Sequence, residues 1–186
     1  MPARTLASAL RVFGDPTSLQ PVWRSRAPEV CRLLSLLSAR LGVRLSGQVT
    51  LGFVPGRVEV LGRHTDYAGG RSLVCAIDRG FLFAAAPARG RIVRMYEDSP
   101  EFGEVSFDLS PSLRPPRGRW QSYPMTMARR LAANFPAILR GVSVAFSSSL
   151  PVGSGMSGSS AFMMTAFTAI AAAGRIWEHP SFRANP

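Results

Sequence analysis

Two short segments concentrate residue types that can do chemistry. The first, Pro151-Val-Gly-Ser-Gly-Met-Ser-Gly-Ser-Ser-Ala161, carries Gly153, Gly155 and Gly158 among four serines. Glycines let a backbone take positive φ and approach a ligand closely. An apolar stretch with helical character follows directly. Its unpaired N–H groups and positive dipole end would face the loop, which makes an anion site suited to phosphate. The hydroxyls of Ser154, Ser157, Ser159 and Ser160 add donors and can ligate Mg²⁺. No lysine follows the last glycine, so the loop is not a Walker A sequence. Two other readings stay open at this level. One is a Ser/Gly linker leading into a capped helix. The other is a dinucleotide fingerprint, since Gly153-x-Gly155-x-x-Gly158 fits G-x-G-x-x-G, with Glu178 as the acidic residue about twenty positions on.

The second segment is Pro55-Gly-Arg-Val-Glu-Val-Leu-Gly-Arg-His-Thr-Asp-Tyr-Ala-Gly-Gly70. A short apolar strand runs into five polar or amphipathic residues, Arg63 to Tyr67, and a second apolar strand follows. Polar clusters on loops held by core strands are frequent binding sites. His64 and Asp66 can exchange hydrogen bonds with vicinal hydroxyls, and Tyr67 offers a ring face and a hydroxyl. Arg57 can reach a phosphate or carboxylate. The structural alternative is a turn, with Asp66 as turn former and Gly69-Gly70 closing a hairpin.

The elements that would hold these loops follow from periodicity. Val30, Leu33, Leu34, Leu37 and Leu41 have helical spacing after Pro28, ending at Gly42. Residues 48–54 and 57–61 read as two strands around a Pro55-Gly56 break, and 72–77 and 81–86 as two more. A further strand pair is expected at 91–96 and 105–109, a helix at 119–135 with Pro124 in its first turn, a strand at 141–146 and a helix at 159–173. Strands and helices do not strictly alternate, so the class is α+β. The first 27 residues read as irregular, residues 28–174 as one domain, and 175–186 as a polar tail with nothing to close it, as in a piece of a longer product.

Composition narrows the function classes. Of 186 residues, 46% are hydrophobic and 18% charged, which supports a packed core. The net charge is +11, yet lysine is absent and the arginines are scattered; Arg129 and Arg130 are the only adjacent pair. Without a basic run or aromatic-basic alternation, a nucleic-acid partner is not expected; attraction for anionic ligands is. The apolar run Ala161–Gly174 is shorter than the roughly twenty residues of a membrane span. No signal-peptide core opens the chain. A soluble cytoplasmic protein is the expectation, with Cys31 and Cys75 as reduced, mostly buried thiols.

Together, in this order and about ninety residues apart, the two loops resemble the galactokinase branch of the superfamily named for galactokinase, homoserine kinase, mevalonate kinase and phosphomevalonate kinase. Pro55–Gly70 is similar to its signature P-G-R-V-N-[LI]-I-G-E-H-T-D-Y-N-x-G. Pro151–Ala161 is similar to its ATP loop P-x-G-x-G-[LM]-S-S-S-A, and Trp120-x-x-Tyr123 to a W-x-N-Y stretch before a helix. The resemblance implies a two-domain kinase of which this chain supplies the N-terminal domain. It implies ATP and Mg²⁺ as cofactors and a sugar as substrate. It places His64 and Asp66, with Glu59, Arg63 and Tyr67 nearby, at the sugar. Arg57 falls near the transferred phosphoryl group. Pro151, Gly153, Ser154, Gly155, Ser157, Gly158, Ser159 and Ser160 fall at the ATP phosphates, with Ser159 as Mg²⁺ ligand. The chain departs from the pattern where Arg63 replaces Glu, Glu59 replaces Asn and Gly158 replaces a serine. No segment before Pro186 matches the family's catalytic Asp motif. A non-catalytic sugar- or nucleotide-binding relative is the alternative.

Overall fold

A computed structural model describes residues 4–184 apart from 16, 18, 45, 63–67, 98 and 100. The elements in chain order are β1 (Arg4–Thr5), α1 (Leu6–Gly14), α2 (Pro21–Arg24), α3 (Ala27–Ala39), β2 (Gln48–Leu61), β3 (Leu73–Ala88), β4 (Ile92–Glu97) and β5 (Gly103–Asp108). They continue with α4 (Ser122–Asn134), β6 (Gly141–Ser148), α5 (Gly158–Gly174), a 3-10 turn (Ile176–Glu178) and α6 (Pro180–Ala184). The strands form one sheet in the order β1-β2-β3-β6-β4-β5. Every pairing is antiparallel except β4 with β6. The α+β expectation holds.

Strand alternation builds two cores, one on each face. Along β3, Phe81, Phe83 and Ala85 join α4 and α5 in one cluster, while Leu82, Ala84 and Ala86 join α1 and α3 in the other. That two-sided burial explains why the middle of β3 is a continuous apolar run rather than an alternating one. The α5 face carries most of the aromatic volume. Opposite, small residues on β3 and Ala145 of β6 leave room for the leucines of α3, of which Leu33, Leu34 and Leu37 are fully buried.

Several local expectations are corrected. The two strands expected around Pro55-Gly56 are one, β2, with the irregularity reduced to a register shift between Pro55 and Arg57. The strands expected at 72–77 and 81–86 are likewise one, β3, continuous through Asp78-Arg79-Gly80. The partner strand overrides the local breakers, because each half of the β2–β3 ladder fixes the other. The first 27 residues, expected to be irregular, carry α1 and α2. Thr5 caps α1 by accepting from the Ser8 N–H at 3.2 Å, and Leu6, Ala9 and Phe13 bury its inner face. The closing tail also has structure: Ile176 is fully buried, and Trp177 meets Phe167 and Phe182 edge-to-face.

The cysteines differ from expectation and from each other. Cys31 is half-buried on α3, whereas Cys75 is exposed on β3. Burial pushes the Cys31 thiol up, which lowers its thiolate fraction at neutral pH. Iodoacetamide is therefore expected to label Cys75 well before Cys31, as read by mass spectrometry of the intact chain. Equal labelling rates would contradict these exposures.

Candidate functional site

β6 ends at Ser148, and residues 149–157 form a loop that delivers the chain into α5. The loop conformation needs its glycines: Gly153 and Gly155 both sit at φ 71°, and a Cβ on either would meet nothing within 4 Å. The demand is therefore on the backbone, and the space above each glycine is open to a ligand. Ser157 precedes α5 with φ 57° and ψ 34°, a left-handed conformation that costs a non-glycine residue about 1–2 kcal/mol. Its side chain makes no capping hydrogen bond, and the first turn of α5 contains no acidic residue. The first helical bond runs from the Ala161 N–H to the Ser157 carbonyl. The N–H groups ahead of it, on Gly158, Ser159 and Ser160, lie at the positive end of a 17-residue helix without a charged side chain. This is the donor set that the sequence suggested for phosphate.

The loop forms one wall of a cavity of about 600 Å³, within the size range of small-molecule sites, about 300–1,000 Å³. β2 supplies a second wall through Arg57 and Glu59. The two walls are joined directly: the Arg57 N–H donates to the Met156 carbonyl at 3.2 Å. A Cβ on Gly56 would stand 2.7 Å from Leu150 Cδ2 and 2.9 Å from the same Met156 carbonyl oxygen. Only glycine fits between the strand and the loop.

The remaining wall is aromatic. Phe81 stacks on Phe162 at 4.9 Å, and Phe102 meets Trp120 edge-to-face at 5.4 Å. Tyr123, at the start of α4, and Glu101 complete the rim. A flat heteroaromatic ring fits such a surface, with polar groups at its edge. The anion-binding loop and the apolar slot adjoin, as the two halves of a nucleotide require.

Of the residues singled out in the sequence, Arg57, Glu59, Pro151, Gly153, Ser154, Gly155, Ser157, Gly158, Ser159 and Ser160 all line this cavity. Arg63, His64, Asp66 and Tyr67 lie outside the described residues. Trp120 and Tyr123 entered earlier only through a resemblance, and the structure puts both at the cavity. Phe102 and Glu101 were missed. Their one local signal is a phenylalanine isolated among polar turn residues between β4 and β5. Among the described residues, no group of three His, Cys, Asp or Glu side chains assembles a metal site. No helix among the described residues is long and apolar enough to cross a membrane.

Known proteins resemble this chain over both segments. Residues 44–87 match the family model described as the galactokinase galactose-binding signature, and residues 122–180 the N-terminal domain of GHMP kinases. The galactokinase of Lacticaseibacillus casei (strain BL23) is 33% identical over 113 residues, covering 60% of this chain and 29% of that protein. The galactokinase of Chloroflexus aurantiacus is 40% identical over 109 residues, covering 58% and 27%. The crystal structure of Lactococcus lactis galactokinase complexed with galactose superposes with a TM-score of 0.57 at 28% identity, covering 63% of this chain and 31% of that one. Methanococcus jannaschii mevalonate kinase, at 14% identity and a TM-score of 0.51 over 66% of this chain and 39% of that one, shares the fold. The match to the curated relatives spans only about three tenths of their length. The signature over β2 and β3, the match over α4 and α5 and these relatives together make the chain a galactokinase-like member of the GHMP kinase superfamily, corresponding to its N-terminal part.

Proposed function

We propose that this chain supplies the nucleotide loop and the sugar loop of an ATP-dependent sugar kinase, which transfers a phosphoryl group from ATP to a sugar hydroxyl. The observation that carries the reading is the shared cavity. The strand bearing Arg57 and the loop that leads into α5, where Ser159 sits in the first turn, face one space and are tied by a backbone hydrogen bond. Phosphoryl transfer depends mainly on positioning and charge neutralisation. Mg·ATP would bring the transferable group. The Gly153–Gly158 backbone and the N-terminus of α5 would hold its phosphates, and the Ser159 hydroxyl would complete the Mg²⁺ shell. Trp120 and Phe102, in edge-to-face contact with each other, would form the apolar wall against which the base packs. Arg57 would meet the charge that develops between donor and acceptor. The sugar would be read by His64, Asp66 and Tyr67, in line with the galactose-binding signature over residues 44–87. The family's general base is an Asp in a motif that these 186 residues do not match. A cytoplasmic location in carbohydrate metabolism fits this reading.

Arg63 bears on which sugar is accepted. The family signature has a carboxylate there, which accepts hydrogen bonds, whereas a guanidinium only donates. A buried sugar hydroxyl that loses its acceptor costs about 1–3 kcal/mol. We favour altered specificity over lost function, because His64, Asp66 and the phosphate loop all remain. An anionic sugar would suit the forked donors of Arg63. The experiment is a substrate panel of galactose, other neutral sugars, uronic acids and sugar phosphates with the full-length product, wild type and Arg63→Glu. Wild type is expected to discriminate against galactose, and Arg63→Glu to restore it by about tenfold or more. A wild-type preference for galactose that Arg63→Glu leaves unchanged would contradict this. A second reading, a binding protein without turnover, is favoured by the same replacement and by Glu59 in place of Asn. Saturable sugar and nucleotide binding with no transfer on any substrate would establish it.

A further inference from the structure

Buried acceptors without donors border the aromatic wall of the cavity beside the phosphate loop. Glu97 closes β4 and is only 8% exposed. It continues the face that Val93 and Met95 present to the core under α4 and α5, the same core that supplies the cavity's aromatic wall. Two ladders set its place against that wall. Glu97 stands opposite Gly103, the residue after Phe102, and Tyr96, one residue earlier, is level with Ala145, one residue before Phe146. Phe146 is met edge-to-face by Phe102 at 5.7 Å and lies 6.2 Å from Trp120 between ring centres. Glu97 Oε2 is buried and has no hydrogen-bond partner among the described residues, and no ion pair reaches Glu97 there. The amide oxygen of Gln121, the residue after Trp120, is likewise buried and unpartnered, and its side chain makes no capping bond to α4. Leaving such acceptors without a donor destabilises a fold, so each calls for a reason.

We propose that Glu97 is a specificity determinant for the nucleotide: its carboxylate accepts a hydrogen bond from the exocyclic amino group of the base, with the Gln121 amide oxygen as a second acceptor at the same wall. The proposal rests on the nucleotide reading of the cavity and adds how the base is chosen. The orphaned atoms are both acceptors, so the group that completes them is a donor. The adjoining surface is aromatic, which suits the face of a purine. Charge sets the direction in which the nucleotide lies. Its phosphates go to the free N–H groups at the start of α5, and away from Glu97 and from Glu101 on the rim. The base is thereby turned to the acceptor end, where an amino group in the plane of the ring brings two N–H donors. A bond from N–H to a carboxylate is charge-assisted and among the stronger kinds. Discrimination follows from the same burial. A base without the amine covers the wall but leaves the carboxylate unpaired, and sites built around a buried polar group reject ligands that lack its partner.

The test is isothermal titration of this chain, with Mg²⁺ present, by ATP and by purine riboside 5′-triphosphate, which differs from ATP only in lacking the amino group. Wild type is expected to bind ATP about tenfold more tightly than the analogue. Glu97→Met removes both carboxylate oxygens at nearly equal length, and because the oxygen it removes is buried without a partner, the fold is expected to hold. That variant should bind the two nucleotides alike. Glu97→Gln, closer still in shape and keeping one acceptor, should retain only part of the preference, and serves if the methionine variant does not fold. A merely structural role for Glu97 would leave the ratio of the two affinities where it is in wild type. Equal binding of the two nucleotides by wild type, or an undiminished preference for ATP in the variants, overturns the proposal and leaves the nucleotide reading standing. Binding of neither nucleotide by wild type overturns that reading, and this proposal with it.

Discussion

A protein of these 186 residues alone is expected to phosphorylate galactose, or any sugar on the panel above, about 10²–10⁴-fold more slowly than a galactokinase that retains its general base. The family's base belongs to a motif with no counterpart before Pro186, and removing such a base typically costs that factor before any loss of binding surface is counted. Two carboxylates of this chain do line the 600 Å³ cavity, Glu59 and Glu101. Neither replaces the missing group in this account. Glu59 stands at the signature's Asn position, and Glu101 sits on the β4–β5 turn beside the aromatic wall. The check is a coupled ADP-release assay with the isolated chain, Lactococcus lactis galactokinase serving as the reference. An ordinary kinase rate from the isolated chain would contradict the expectation. If that rate vanished in Glu59→Gln, the base would be Glu59.

The second large effect is on stability. Gly80→Ala is expected to destabilise the fold by about 3 kcal/mol, at the upper end of overpacking costs. At this position the β2 backbone approaches β3 so closely that a Cβ would overlap the Val54 carbonyl oxygen and stand 2.8 Å from Pro55 Cα. These are backbone atoms inside a paired ladder, so neither can swing aside. Gly80 is clamped from the other side as well. Its N–H donates to Ser149 Oγ at 2.9 Å, and its carbonyl accepts from the Ser149 N–H at 3.0 Å. Displacing Gly80 therefore loosens the start of the phosphate loop along with the sheet. The melting temperature should fall by about 6–12 °C. Gly14→Ala, where a Cβ meets nothing within 4 Å, is the control and should change little. Similar melting temperatures for the two variants would show that β2 and β3 part without cost.

Much of this architecture is legible in the sequence, and what is not has a common cause. α3, α5 and β6 follow from local patterns: leucines at helical spacing, a long apolar stretch after the Gly/Ser loop, and an apolar run between turn residues. Pro55-Gly56 and Asp78-Arg79-Gly80 carry equally strong local signals for breaks, yet both strands continue. What carries them through is pairing between residues far apart in the chain, with Gly80 supplying the room. α1 escapes notice because its three buried positions are spread among arginine and small residues; Thr5 as cap was the available sign. At the site, Arg57, Glu59 and the phosphate loop are legible as motifs, since chemistry fixes their spacing. Phe102 and Glu101 are not, because only the fold carries the β4–β5 turn to Trp120. The exposed face of Cys75 is invisible for the same reason: burial belongs to the packed structure.

The cavity beside residues 153–160 is expected to bind Mg·ATP through the backbone and hydroxyls of that segment. Isothermal titration of this chain with Mg·ATP, as wild type and as Ser159→Ala, tests it most directly, with a titration of the sugar preferred in the panel above alongside. Wild type is expected to show saturable binding at one site. Ser159→Ala should weaken nucleotide binding by about tenfold, the loss of one metal-ligating or charge-assisted contact, and leave the isotherm of the preferred sugar unchanged. No saturable binding by wild type, or a Ser159→Ala isotherm that overlays it, would contradict the account.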